Sequence, residues 1–265
     1  MRQSETTLDR FYQSQIGTLS ADLISQRILD LWGNCADLRL LGLGYATPLL
    51  KHWQSHARTC IAALPAPWQA ARMDQAGGQA LCRIAESRLP FREAVFDRIL
   101  FLHALEEADN PRHLLREAWR VLAPEGRMLV ITTNRKSLWS LDESKPYGHG
   151  RPWTRRQLSR FLNDCLFDVS ASTTAVHMPP LNWPLITAAA NAWERAGEAL
   201  LPGLGGVVMV EAVKHLHAKP NGSATSPVLR AAKSGINRPA LPRNRQFLEK
   251  TRASSRSEPL TKKPD

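Results

Sequence analysis

Two features of this chain have the residue types and positions that chemistry requires. Gly42 and Gly44 are separated by one residue and follow the apolar run 38–41, so they predict a tight turn after a strand. Glycine there lets the backbone approach a ligand, and the positive end of a following helix can meet a negatively charged group. His103 ends a second apolar run and carries an imidazole that can exchange a proton near neutral pH. An ordinary tight turn remains the alternative interpretation of the glycines.

The elements that must position these residues are predicted by the middle of the chain. Residues 96–102 are almost continuously apolar after an acidic start, as expected of a parallel strand covered on both faces. Asn110 can cap a helix that begins at Pro111 and has one apolar stripe. Residues 124–126, Pro-Glu-Gly, predict a turn, and residues 127–132 supply the next β-rich run. The order of strand, crossover helix and strand is a βαβ unit.

These segments resemble the class I S-adenosylmethionine-dependent methyltransferase family. The resemblance rests on LPF, on FD with the apolar strand that ends in LHALE, and on RVLAPEGRMLVIT, all within residues 89–133. With residues 38–46 added, it spans roughly residues 20–215. It implies an α/β fold with a Rossmann-like, doubly wound, mostly parallel sheet and an antiparallel edge strand. It also implies S-adenosylmethionine as cofactor and methyl transfer to an acceptor that the sequence does not identify.

The resemblance also implies where the cofactor lies. In the family, the glycine turn, the exit of the third strand and an N-terminal lid contact the cofactor. The matching positions here are Gly42, Gly44, Tyr45, Ala46, Glu86 and Tyr12. A hydrophobic clasp on the outer helix is the alternative for Tyr12, and a solvated loop charge is the alternative for Glu86. Cofactor binding at these positions needs an open cradle after Leu41. If side chains such as Tyr45 or Leu64 fill this cradle, the resemblance supports only the fold and not the enzymatic activity.

Several acidic contacts of the family are missing. Leu40 stands at the acidic position before the turn, and Ala46 stands at the third glycine. No carboxylate ends the predicted second strand at 59–64, and the nearest acid is Asp74. Glu86 is displaced by one residue from the acid that contacts the adenine. These departures motivate a second hypothesis, in which the chain is a catalytically inactive binding or assembly factor. A nicotinamide dehydrogenase is disfavoured because the third spaced glycine and a later acid are absent.

The chemistry implied by the family needs no metal. A sulfonium already carries a good leaving group, so the protein must align the nucleophile and accept one proton. His103 at the end of the fourth strand and His149, in a loop rich in glycine and proline, are the candidates for this base. The alternative for His103 is packing beside the cofactor. The loop around His149 is a candidate wall of the acceptor site, because loops at the carboxyl ends of strands line the crevice of such sheets.

The chain divides by composition into three segments. Residues 1–36 form a predicted lid and helix, 37–217 the methyltransferase-like domain, and 218–265 a tail rich in Pro, Ser, Gly and Asn that is predicted to be disordered. The tail holds 11 Lys or Arg against 3 acids, a net charge of +8 out of +11 for the chain. Weak nucleic-acid contact through the tail is one hypothesis. A solubilising appendage is the other.

Composition limits the remaining classes. Four cysteines without C-x-x-C spacing predict neither disulfides nor a structural zinc site, so buried thiols are expected. The start of the chain is polar, and no apolar run has the length of a membrane span. A cytoplasmic protein is therefore expected. The other predicted elements are helices at 20–32, 46–56, from Thr154 onward and around 187–200, and strands at 167–170 and 207–213.

Overall fold

The computed structural model describes residues 3–65 and 80–215, and a seven-stranded sheet forms the centre of these residues. Its strands are β1 Arg39–Gly44, β2 Thr59–Pro65, β3 Ala80–Ile84, β4 Phe96–Leu102, β5 Leu122–Thr133, β6 Asp168–Ala175 and β7 Val207–Val213. Their order is β3-β2-β1-β4-β5-β7-β6, and β7 runs antiparallel to both β5 and β6. The doubly wound, mostly parallel sheet with an antiparallel edge is confirmed.

Helices cover both faces of the sheet. They are α1 Glu5–Gln13, α2 Gln15–Trp32, α3 Thr47–Leu50, α4 Pro111–Val121, α5 Arg155–Asp164, α6 Pro184–Ala188 and α7 Ala190–Leu200. Two short 3₁₀ turns, Leu138–Leu141 and Pro146–Gly148, follow β5. Side chains of β4 alternate between the two faces: Leu100 packs with α2 and α3, whereas Phe101 packs with α4 and α5. Burial on both faces explains why the central strand β4 is almost continuously apolar.

Local signals at helix ends explain the helices that the sequence predicts best. The side chain of Asn110 accepts a hydrogen bond from the backbone of His113, and Pro111 is the first residue of α4. Thr154 and Gln157 form a reciprocal capping box at the start of α5. The predicted caps at Asn110 and Thr154 are therefore confirmed.

Three predicted boundaries are wrong. Helix α2 begins at Gln15 because Ser14 caps it, and the hydroxyl of Ser20 donates instead to the backbone oxygen of Ile16. Helix α3 spans one turn, Thr47–Leu50, rather than the predicted 46–56. Strand β5 already pairs with β4 from Leu122, so residues 124–126 are an irregular part of the strand rather than a separate turn.

The remaining predictions are tested in part. Cys35 is buried, whereas the other three cysteines are half-buried, so the expectation of four buried thiols is wrong for those three. No helix within residues 3–65 and 80–215 has the length and hydropathy needed to cross a membrane. Asp74 and the tail at 218–265 lie outside the described residues, and so does each prediction made for them.

The strand order indicates that a ligand site is expected at the carboxyl ends of β1 and β4. The chain leaves β1 toward β2 and β3 and later returns to β4 on the other side of β1, so the direction of winding reverses between β1 and β4. In open α/β sheets, ligands bind outside the carboxyl ends of the strands at such a reversal. Gly44 ends β1 and pairs with Leu102, which ends β4. The glycine turn and His103 therefore meet at the position where a ligand site is expected.

Candidate functional site

The glycine turn has the backbone geometry that the sequence predicts. Gly44 has a φ of +77°, and a Cβ atom at this position would lie 2.3 Å from the backbone oxygen of Leu102. The backbone nitrogen of Tyr45 donates to that same oxygen at 2.8 Å. The turn is thus bound tightly to the end of β4, and only glycine fits at Gly44.

The expectation of an open cradle is wrong for this arrangement of the chain. Helix α1 covers the turn, and the Tyr45 ring is only 3% exposed. Its ring stacks on that of Tyr12 at 5.5 Å, and its hydroxyl donates to Asp9 of α1. Leu64 is fully buried in the same core cluster as Tyr12 and Tyr45. The physical reason is the amphipathic character of α1, which buries its apolar face against the nearest apolar surface.

Helix α1 reaches the loops after β5 as well. The Phe11 ring makes edge-to-face contacts with Trp139 at 6.4 Å and with Tyr147 at 5.7 Å. Ahead of the helix, the side-chain amide of Gln3 donates to the backbone oxygen of Pro146 at 2.7 Å. The N-terminal segment therefore spans the carboxyl ends of the strands, as the predicted lid position requires.

A chain of polar groups is buried beneath this helix. The hydroxyl of Tyr12 lies 2.8 Å from Nε2 of His103 and 3.1 Å from the hydroxyl of Tyr147. On the other side of the imidazole, Nδ1 of His103 lies 3.2 Å from Oε1 of Glu106. The carboxylate, imidazole and two phenols form one continuous path. The sequence indicates His103 and Tyr12 separately, but no sequence signal identifies Glu106 and Tyr147 as their partners.

The backbone holds His103 in an unusual conformation. Its φ is +54°, in the left-handed region that residues other than glycine seldom adopt, and its side chain is 1% exposed. Backbone conformations of this kind persist only where the surrounding structure over-determines them, and they concentrate at functional sites. Here hydrogen bonds to both ring nitrogens fix the imidazole in place.

Burial determines the protonation state of the Tyr12 and Tyr147 hydroxyls. Desolvation raises the pKa of Tyr12 well above its ordinary value, and Tyr147 and Glu106 raise it further. Desolvation also raises the pKa of Tyr147, although its hydrogen bond with Tyr12 acts in the opposite direction. Both hydroxyls are therefore neutral at physiological pH and can each donate one hydrogen bond.

The acidic groups near the crevice differ from those that the family pattern implies. Glu5 of α1 is fully buried, and one of its oxygens lies 3.4 Å from Arg83 at the end of β3. Burial raises the pKa of Glu5, and Arg83 opposes this rise. Glu86 is half-buried in the turn after β3. No sequence signal identified Glu5, because it lies on a different element from every strand end.

The two histidine candidates have different surroundings. His103 lies at the centre of the polar chain. His149 follows the second 3₁₀ turn, is half-buried, and its side chain makes no hydrogen bond to any residue in 3–65 or 80–215. The structure thus joins His103, but not His149, to the other polar groups of the site.

Three buried oxygen atoms at this edge lack a hydrogen-bond partner within the described residues: Oε1 of Glu5, Oγ1 of Thr47 and Oε2 of Glu106. Buried polar atoms normally have hydrogen-bond partners, so these three oxygens are exceptions within this part of the fold. Among the residues described, no group of three or more His, Cys, Asp or Glu side chains is placed to hold a metal ion.

Comparisons with known proteins agree with this architecture. Residues 41–130 match the family described as methyltransferase domain. No curated protein sequence matches the chain.

Solved structures resemble the chain at low sequence identity. An S-adenosylmethionine-dependent methyltransferase of Thermotoga maritima, a possible histamine N-methyltransferase, has a TM-score of 0.57 at 16% identity, covering 78% of this chain and 93% of its own. A Haloferax volcanii methyltransferase in complex with the Trm112 activator has a TM-score of 0.55 at 14% identity, covering 80% and 92%. The cyclase SpnF has a TM-score of 0.51 at 16% identity, covering 73% and 80%. These similarities establish the fold.

Proposed function

We propose that this chain, in which residues 41–130 match the methyltransferase domain family, is a class I S-adenosylmethionine-dependent methyltransferase that binds its cofactor at the carboxyl ends of β1 and β4 and transfers the methyl group to an acceptor. The observation that supports this proposal best is the buried chain of Glu106, His103, Tyr12 and Tyr147 beside the glycine turn. A buried imidazole with both nitrogens engaged, in a strained backbone, is costly unless it serves a function.

The residues at the crevice fit the cofactor in part. When bound, the cofactor supplies an activated methyl group on its sulfonium. Its ammonium, ribose hydroxyls and adenine amino group are hydrogen-bond donors, and the unpaired oxygens of Glu5, Thr47 and Glu106 are acceptors. The left-handed Gly44 keeps the turn close to β4, so a ligand would bind on the outer side of the turn once α1 has moved away. Tyr45, Ala46 and Glu86 are the further positions that we assign to this site.

Glu5 is proposed to replace the carboxylate that β2 lacks. Its partner Arg83 pairs with Leu64 in the sheet, so Glu5 lies near the ends of β2 and β3. This is the side of the crevice where the family pattern calls for an acid on the ribose. An acid delivered by α1 would link cofactor binding to the position of this helix.

His103 is the proposed proton acceptor. The carboxylate of Glu106 accepts a hydrogen bond from Nδ1 of His103 when the proton of the neutral imidazole is on Nδ1. In this tautomer Nε2 is unprotonated and can accept a proton. In this arrangement Nε2 faces the hydroxyl of Tyr12. An acceptor molecule would reach Nε2 only after Tyr12 moves aside, because the imidazole is otherwise enclosed.

Helix α1 is accordingly proposed to act as a lid. It is joined to α2 through Ser14, whose extended backbone separates the two helices. Its polar contacts with the site are made by side chains, so a rotation at Ser14 could break them without unfolding the sheet. Opening would uncover Tyr45 and His103 together.

The decisive experiment is a calorimetric titration with S-adenosylhomocysteine, paired with transfer of a labelled methyl group from S-adenosylmethionine into a lysate. Saturable binding together with label incorporation supports the proposal. NADH is the matched control ligand, since binding of NADH instead would indicate a dehydrogenase. Absence of binding to S-adenosylhomocysteine at millimolar concentration contradicts the proposal.

A second function is favoured by a specific observation. Tyr45 and Leu64 are buried where the cradle was expected to be open, and Leu40 and Ala46 replace family positions. A chain that keeps this arrangement permanently would be a binding or assembly factor without turnover. Binding of S-adenosylhomocysteine without any methyl transfer, or no binding at all, is the result that this alternative predicts.

A further inference from the structure

A surface cavity of about 830 Å³ lies where the starts of α4 and α5 come together. Its walls come from the residues around the start of α4 at 109–112, from Arg135 shortly after β5, and from the loop and helix at 151–164. The backbone nitrogen of Arg151 donates to the oxygen of Glu106 at 2.9 Å, so the wall of this cavity is tied directly to the residue that holds His103. The volume is within the range of ligand-binding clefts.

Positive charge dominates the cavity. Five arginines line it: Arg112, Arg135, Arg151, Arg156 and Arg160. All five are exposed, and none forms an ion pair with another residue of the described part of the chain. Two carboxylates, those of Asp109 and Asp164, also line the cavity, which leaves a net charge of +3. Guanidinium groups without a carboxylate partner are suited to bind phosphate oxygens in pairs.

Aromatic rings form part of the same wall. The centroids of Trp153 and Phe161 are 5.0 Å apart with an interplanar angle of 34°. Arg112 lies 5.1 Å from the centroid of the Phe161 ring. The indole Nε1 of Trp153 is buried and has no hydrogen-bond partner within residues 3–65 and 80–215. A flat ring, such as a nucleobase, could stack on this aromatic surface.

The amino-terminal ends of α4 and α5 add to the positive electrostatic potential of the cavity. Helix α4 has 11 residues and α5 has 10, and both begin at the cavity. The amino-terminal end of a helix carries partial positive charge, and two such ends directed at one cavity reinforce the arginines. The site therefore combines charge for an anion with an aromatic surface for a planar ring.

We infer that this cavity binds the phosphate and base of a nucleotide, either free or as one unit of a single-stranded nucleic acid. The arginines contact the phosphate, and Trp153 and Phe161 contact the base. As a binding site, the inference is independent of methyl transfer. As the site of the methyl acceptor, it rests on the proposed function, and it then makes the acceptor a nucleotide or a nucleic acid.

The test uses the full chain without cofactor and measures binding by fluorescence anisotropy. The probes are a labelled single-stranded RNA of ten nucleotides, a labelled adenosine monophosphate, and unlabelled inorganic phosphate as competitor. The variant Arg156→Ala/Arg160→Ala is expected to bind the RNA roughly tenfold more weakly in 0.1 M salt. Each arginine that neutralises a phosphate of a single strand adds about 0.7 to the steepness of log K against log salt, so removing two should reduce the steepness by about 1.4.

A matched control variant shows how much of the change in affinity comes from the lower net charge alone. Arg116→Ala/Arg195→Ala changes the net charge equally, and both residues are exposed and do not line the cavity. The basic residues at 218–265 are the same in both variants, so any binding they provide cancels. The inference requires weaker binding in the cavity variant alone. Equal affinities of the two variants would overturn it.

The sources of the ligand are separated by the probes. Binding of RNA and of adenosine monophosphate at this site supports a free nucleotide as ligand, whereas RNA alone supports a nucleic acid. Trp153→Leu keeps an apolar side chain and removes the stacking surface. This variant should bind both labelled probes several-fold more weakly. Inorganic phosphate that competes as strongly as adenosine monophosphate would overturn the role of the aromatic rings. Because no cofactor is present, these results do not depend on whether methyl transfer occurs.

Discussion

The hydroxyl of Tyr12 lies 2.8 Å from Nε2 of His103, although 91 residues separate them in the chain. This bond joins α1 to the carboxyl end of β4, where the imidazole is otherwise enclosed by buried side chains. It has two consequences. Helix α1 covers His103, and the imidazole contributes to the stability of this arrangement.

Removing the hydroxyl of Tyr12 tests the second consequence. The variant Tyr12→Phe keeps the ring that stacks on Tyr45 but leaves Nε2 of His103 and the hydroxyl of Tyr147 without this partner. We expect the free energy of unfolding to fall by about 1–3 kcal/mol, because buried polar groups then lose a hydrogen bond. Chemical denaturation followed by circular dichroism measures this change.

An exposed bond of the same kind provides the control. The hydroxyl of Ser55 lies 2.9 Å from Nδ1 of His56 at the surface, and Ser55→Ala removes it. Water replaces a lost partner at the surface, so the stability of this variant should change by less than about 0.5 kcal/mol. Equal effects of the two variants would mean that the Tyr12 bond is not buried in solution.

His103 can be replaced without disturbing its backbone. Asparagine tolerates the left-handed conformation better than most residues, so His103→Asn should keep the fold at a φ of +54°. If His103 accepts the proton, label incorporation should fall roughly 100-fold or more, while binding of S-adenosylhomocysteine stays within about twofold. His149→Asn is the control, because His149 lies outside the polar chain. Retained activity in His103→Asn would reject the proposed role.

Glu5 tests the acid that is supplied by α1. The variant Glu5→Gln keeps the size of the side chain and removes the charge, so a ribose contact would change from charged to neutral. We expect about tenfold weaker binding of S-adenosylhomocysteine by calorimetry. Asp22→Asn on the exposed face of α2 removes a charge away from the crevice and should bind normally. Unchanged affinity in Glu5→Gln would remove Glu5 from the site.

Much of the fold could be predicted because its signals are local. The strand Phe96–Leu102 is an apolar run, and α4 begins with Asn110 and Pro111 at the positions that favour a helix start. The family resemblance was carried by the same stretch, and residues 41–130 match the methyltransferase domain. In these elements the residues that determine the structure lie within a few positions of each other.

The site was harder to predict because it depends on contacts between distant residues. Neither the pairing of Tyr12 with His103 nor the burial of Tyr45 under α1 leaves a periodic pattern in the sequence. The start of α2 was predicted six positions from Ser14, since Ser14 and Ser20 are equally good caps and only tertiary packing distinguishes them. Burial of Glu5 likewise follows from where α1 packs.

Acid should loosen the contact between α7 and the segment that follows β6. Burial opposes the charge of Glu194, but hydrogen bonds from His177 and the charge of Arg27 outweigh it and hold the pKa of Glu194 below its usual range. A carboxyl with a lowered pKa binds its proton more weakly in the folded state. Its stabilising effect is therefore complete above its unfolded pKa of about 4.3 and is lost as the pH falls through the lowered value.

The variant Glu194→Gln removes this titration. We expect it to be less stable than the parent protein by about 1–2 kcal/mol near pH 6, with the difference shrinking as the pH falls below about 4. Denaturation curves at a series of pH values measure the difference. A difference that stays constant from pH 7 to pH 3 would show that Glu194 does not titrate with folding.

Alanine substitutions at two glycines distinguish the cost of backbone strain from the cost of a steric clash. Gly33 and Gly44 both have positive φ, at +65° and +77°. A Cβ at Gly33 would meet nothing within 4 Å, whereas a Cβ at Gly44 would lie 2.3 Å from the backbone oxygen of Leu102 and 2.7 Å from Cβ of Ala104. Gly33 has a ψ of −148°, a backbone region that is essentially restricted to glycine, so Gly33→Ala should cost the conformational strain alone, about 1–3 kcal/mol, as measured by thermal unfolding.

Gly44→Ala should cost that amount and more, because the turn must also move away from β4. Overpacking adds about 1–3 kcal/mol, so the total is expected to be about 2–6 kcal/mol. The displaced turn would also disturb the hydrogen bond from Tyr45 to Leu102, and S-adenosylhomocysteine should bind this variant weakly even below its melting temperature. Gly33→Ala should bind normally, since Gly33 ends α2 away from the turn. If both variants lose equal stability and bind equally well, the close approach of β1 to β4 is not what the glycine turn provides.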